Sequence, residues 1–164
     1  MHSIARRCCL VAVALFGAAL PIALQAQTAT QTVTFAVSAI NQVAFAGSPS
    51  LTITTAVAGS APTSVTNATA TWAVTTNQST AKITASIPTA MPAGLTLSVN
   101  LVAPAGATSA GFKTLAVAAV DLVTSVTKVA QGGMTATYKL DATAAAGVVT
   151  SSTRVVTYTI TGGV

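Results

Sequence analysis

Apolar and polar positions alternate with a period of two through most of the chain beyond residue 30. Val33, Phe35, Val37 and Ala39 interleave with Thr32, Thr34, Ala36 and Ser38, and Leu51, Ile53 and Val57 interleave with Thr52, Thr54 and Ala56. The same alternation marks Ala70, Trp72 and Val74; Ile83, Ala85 and Ile87; Leu95, Leu97, Val99 and Leu101; and Leu115, Val117 and Ala119. It returns at Met134, Ala136, Tyr138 and Leu140 and at Val156, Tyr158 and Ile160. Side chains on a strand point to opposite faces in turn, so each run predicts a strand with one buried face. Threonine supplies many of the outward positions, where its β-branch favours extended backbone and its hydroxyl stays wet.

Gly and Pro clusters separate the runs, at Gly47-Ser48-Pro49, Pro104-Ala105-Gly106 and Gln131-Gly132-Gly133 among others. About eight strands with one apolar face each predict an all-β fold. The expected form is an antiparallel β-sandwich of immunoglobulin-like or jelly-roll type, with a closed barrel as the rival. Residues 120–130 break the pattern. Val123, Val126 and Ala130 have helical spacing and Asp121 is a cap residue, so this stretch reads as a short helix or an irregular strand. There is no internal repeat, which removes solenoids and propellers.

The first 26 residues have another texture. His2, Arg6 and Arg7 precede an apolar run over residues 10–24, closed by Gln25, Ala26 and Gln27. This order predicts a signal peptide cleaved near Ala26 and Gln27. The run is short of the roughly 17 to 25 apolar residues of a membrane span, so no stable membrane insertion is expected after cleavage. Cys8 and Cys9 lie before the apolar core, where a lipoprotein cysteine does not lie, and the core after Arg6-Arg7 fits the general secretory route. The expected product is a single domain over residues 27–164, located in the periplasm, on the cell surface or in the medium.

Removing the peptide changes the chemistry available. The remainder carries Lys82, Lys113, Lys128, Lys139 and Arg154 against Asp121 and Asp141, a net charge of +3, and has no His, Cys or Glu. That excludes Ser-His-Asp triads, Cys-His pairs and zinc sites built on His or Cys. Two carboxylates twenty residues apart suit neither paired-acid catalysis nor calcium binding. Five scattered cations without aromatic interleaving make no nucleic-acid surface. Ser79 to Lys82 and Ser125 to Lys128 have the spacing of a Ser-Lys nucleophile pair, but the companion motifs are missing. No enzyme activity, cofactor or metal is expected. Trp72, Tyr138 and Tyr158 fall on the inward phase and read as core.

What the sequence permits is a non-enzymatic role. The first expectation is a surface protein, a fibre, coat or matrix subunit that pairs with itself or with other surface components by β-strand contacts. Val33, Phe35 and Val37 would form the assembly strand. In texture the chain resembles exported bacterial fibre sandwiches, pilins included, whose last strand alternates as Val156, Tyr158 and Ile160 do; pilin-type cysteines are absent. The second expectation is a secreted or periplasmic binding module that uses its longer loops, over residues 59–67, 88–94 and 104–112. Met91 and Phe112 would be their apolar contacts or plugs over the core. Lys139 beside Asp141 also raises an intramolecular amide crosslink, if an Asn lies near.

Overall fold

The computed structural model describes residues 26–163. The signal-peptide expectation for residues 1–26 therefore lies, all but Ala26, outside the described residues. The sheets belong to a unit over Val37–Val164; residues 26–36 lie outside that unit and carry no strand.

Nine strands follow one another: β1 (Asn41–Ala46), β2 (Val65–Thr76), β3 (Ala81–Ser86), β4 (Leu95–Leu101), β5 (Thr108–Ser109), β6 (Lys113–Thr114), β7 (Val120–Val126), β8 (Val129–Ala142) and β9 (Thr157–Thr161). One sheet has the order β1-β2-β8-β4-β6 and the other β5-β7-β3-β9. Every strand pair is antiparallel. The fold is all-β, and the only helical turn among the described residues is a short 3-10 turn over Ala144–Ala146.

The inward phase read from the sequence is the buried phase. Trp72 and Val74 on β2, Ile83 and Ala85 on β3, Val99 and Leu101 on β4 and Met134 and Ala136 on β8 are all buried in one apolar cluster fed by both sheets. Each buried Val, Leu, Ile or Met of this cluster contributes about 1.5–3 kcal/mol by leaving water.

Three stretches differ from the alternation read in the sequence. Residues 33–39 have no strand; the first strand is β1, whose weak pattern of Asn41, Val43 and Phe45 on one face gave little apolar signal. Residues 51–57 contribute only an isolated bridge between Ala56 and Pro62. Residues 115–119 carry no strand: the two-residue β6 ends at Thr114, Leu115 is buried and Val117 is exposed. In the first two stretches alternation exists without a neighbouring strand to complete the ladder, whereas in the third Leu115 N still donates to Leu97 O of β4 before the chain departs.

Residues 120–126 form strand β7, not a helix. Ala81 pairs with Val126, Ile83 with Val123 and Thr84 with Asp121, so β7 carries one residue more than β3 in each interval. These two bulges break the period of two. They bury the consecutive residues Leu122 and Val123 and hold Ser125 at a φ of +60°. Asp121 is consequently a strand residue and caps nothing.

Candidate assembly interface

The described residues hold no group of three or more metal-ligating side chains. Among the described residues each side-chain carboxylate is paired with a lysine. Lys82 Nζ lies 3.0 Å from Asp121 on neighbouring strands of one sheet, and Lys139 Nζ lies 3.0 Å from Asp141 two residues along β8. The Ser64 hydroxyl donates to Asp141, and this bond, helped by Lys139, holds the Asp141 carboxyl below its ordinary range. Lys139 sits opposite Thr66 and Ser98 on its flanking strands, and its ammonium lies 5.9 Å above the Phe112 ring. No Asn is among these neighbours.

Neither Ser-Lys spacing lies on a helix. Ser79 is in the turn before β3, beside Thr80 at a φ of +58°, and Lys82 is engaged with Asp121. Ser125 and Lys128 flank the turn between β7 and β8 with positive φ. The surface depressions are shallow; one is lined by Ala110, Lys113 and Val120, another by Ile40, Asn77 and Lys128.

The loop candidates separate. Met91 is half-buried and packs on the apolar cluster, closing it from one loop. Phe112 is 44% exposed, covered on one side by the Lys139 ammonium.

The strongest concentration of unused binding capacity lies along the edges of the sheets. β1 and β6 bound one sheet, β5 and β9 the other. An edge strand has a row of N–H and C=O groups without ladder partners. β5 and β6 have two residues each, and β6 carries Lys113. β1 and β9 are longer and uncharged, with sequences NQVAFA and TYTIT.

These two long edges face each other through aromatic side chains. Phe45 on β1 stacks on Tyr158 of β9 with ring centroids 3.6 Å apart, and on Trp72 of β2 at 5.9 Å. Tyr158 and Tyr138 of β8 share a hydrogen bond of 2.6 Å between their hydroxyls. Burial pushes both phenols above their ordinary ionisation range. Trp72 Nε1 is buried without a hydrogen-bond partner. The sequence placed the three aromatic residues inward; that two of their polar ends meet each other, and the third meets nothing, could not be read from it.

Just before β1 the backbone is tied down. Asn77 Oδ1 accepts from Ile40 N at 2.8 Å, Asn77 Nδ2 donates to Ser38 O at 2.7 Å, and Asn77 N donates to Ile40 O at 3.2 Å. N-terminal to this clamp the predicted assembly residues are bare: Val33 is 72%, Phe35 89% and Val37 79% exposed. Nothing in the sequence signals this role for Asn77, because its partners lie nearly forty positions away.

Comparison with protein-family models, with curated proteins and with solved structures finds no significant match.

Proposed function

We propose that the chain is an exported, non-enzymatic structural protein, a subunit of a fibre, coat or matrix, whose two sheets form a β-sandwich and whose copies join by β-strand contacts. The observation that carries this reading is the exposure of Val33, Phe35 and Val37 at alternate positions of a segment that has no strand of its own. Three large apolar side chains left exposed within five residues are costly in water, at about 25 cal/mol for each Å² left uncovered. A period of two is also the pattern that a sheet edge accepts. The low charge of residues 27–163 supports the reading, since little electrostatic repulsion opposes close packing of copies. The signal-peptide pattern of the first 26 residues supports export by the general secretory route.

Sizing of the exported protein and electron microscopy test the proposal. Wild type is expected to form oligomers or filaments at micromolar concentration, and a variant lacking residues 27–37 to stay monomeric with its unfolding midpoint unchanged. The deletion stops short of Ser38 so that the Asn77 clamp survives. A wild-type protein that stays monomeric at high concentration overturns the reading.

A further inference from the structure

We infer that the free side of β9 is the acceptor for the Val33, Phe35, Val37 segment of a second copy of this chain, an inference that rests on the assembly reading above. β9 is hydrogen-bonded to β3 on one side only. The alternation of exposure on its chain runs longer than the paired strand. From Thr153 to Thr161 exposed residues alternate with half-buried ones, and Val156, Tyr158 and Ile160 pack on the apolar cluster without being fully covered. That row ends at a boundary where a neighbouring strand would continue it.

The arm matches this edge in three respects. Its apolar residues occupy positions i, i+2 and i+4, and so do Val156, Tyr158 and Ile160, so one row extends the other over the same length. Residues 27–40 and Thr157–Thr161 carry no charged side chain, so docking along β9 desolvates none there; the cation of the run, Arg154, lies three residues before β9, whereas β6 itself presents Lys113. The arm also starts where the Asn77 clamp ends, so the docked segment would remain fastened to its own sheet by three hydrogen bonds.

β1, the other long edge, matches less well. Its inward row is Asn41, Val43 and Phe45, and the Asn41 carboxamide oxygen already accepts from the Thr76 hydroxyl at 2.6 Å. Phe45 is engaged with Tyr158. That stack commits Tyr158 equally, which leaves Val43 alone on the β1 row but both Val156 and Ile160 on the β9 row.

The test uses pairs of single-cysteine variants of the exported protein, which is otherwise free of cysteine if the leader is removed. Thr34→Cys, on the outward side of the arm, is mixed with Thr157→Cys, Thr159→Cys or Thr161→Cys on the outward side of β9, or with Gln42→Cys or Ala44→Cys on β1. After mild oxidation, mass spectrometry reads the mixed disulfide. At least one β9 partner is expected to exceed both β1 partners several-fold. Oligomers that crosslink through β1, or that form without any β9 crosslink, overturn the acceptor assignment and leave the assembly reading standing. Monomers in every mixture and in wild type overturn both.

Discussion

The hydroxyls of Tyr138 and Tyr158 meet at 2.6 Å between the two sheets, each the other's only side-chain hydrogen-bond partner among the described residues. Because one lies on β8 and the other on β9, this bond ties the last strand to the centre of the opposite sheet. Replacing either residue by Phe leaves the other hydroxyl part-buried and unpaired, at a cost of about 1–3 kcal/mol. Replacing both removes the orphan, so the double variant is expected to be less destabilised than the sum of the singles. Urea unfolding of the four proteins measures the coupling; strict additivity would contradict the pairing.

The same pair sets an alkaline limit. Both phenols titrate higher in the folded protein than in the unfolded chain, where tyrosine ionises near 10. Their contribution is therefore fully present below about pH 10 and is lost as pH rises from there toward the folded values. These are the only two tyrosines. Near-ultraviolet tyrosinate absorbance is expected to appear together with unfolding, not before it, and the Tyr158→Phe variant is expected to lose much of this alkaline sensitivity.

At the acid end the predicted effect is local. The Asp141 carboxyl is held below its ordinary range first by the Ser64 hydroxyl and then by Lys139. Its contribution is present above the unfolded value near 3.9 and lost as pH falls through the lower folded value. The pair is partly exposed, so the effect on stability is small, under about 1 kcal/mol. Ser64→Ala is expected to move the Asp141 titration, followed by NMR, back up toward the ordinary value.

Gly94 and Gly106 share a φ of +79°, which makes them a matched pair. A Cβ on Gly106 meets nothing within 4 Å, whereas one on Gly94 would lie 2.6 Å from Ala146 N and 2.8 Å from Thr143 Oγ1. Gly106→Ala is expected to cost about 1–2 kcal/mol, the strain of the left-handed backbone alone. Gly94→Ala should cost clearly more, because backbone atoms of the 3-10 turn must also shift. Thermal or urea unfolding of both variants checks the difference.

Asn77→Ala removes both side-chain bonds that hold Ser38 and Ile40. Exchange of the Ile40 amide is expected to rise at least tenfold while amides of β3 and β8 keep their protection. Loss of protection throughout both sheets would show that Asn77 supports the whole fold and not only the root of the arm.

Much of the fold was legible because burial follows the period of two. Trp72, Val74, Ile83, Val99 and Met134 were assigned inward and are inward. The errors have one physical source, since alternation reports a side chain's preference but not the presence of a neighbouring strand. Val33, Phe35 and Val37 satisfy the pattern as well as β4 does, yet have no ladder. β7 failed the opposite way, because two bulges shift its phase and a single sequence gives no sign of where a ladder slips. The candidate interface proposed above was legible in part. The arm was visible as an alternating run, whereas the free edge of β9 and the Asn77 clamp depend on which strands finish side by side.

The strand order also has a consequence in time. β9 completes its ladder only with β3, and Thr84 and Thr159 meet across seventy-five positions of chain. β2 likewise waits for β8 before its second side is paired. Such distant closures are slow, since the entropy of the long loops is lost before any contact offsets it. The first strands to emerge therefore persist with open edges until the last ones arrive. Under the export proposed above, that delay favours translocation, because the same topology that makes the chain late to fold keeps it threadable.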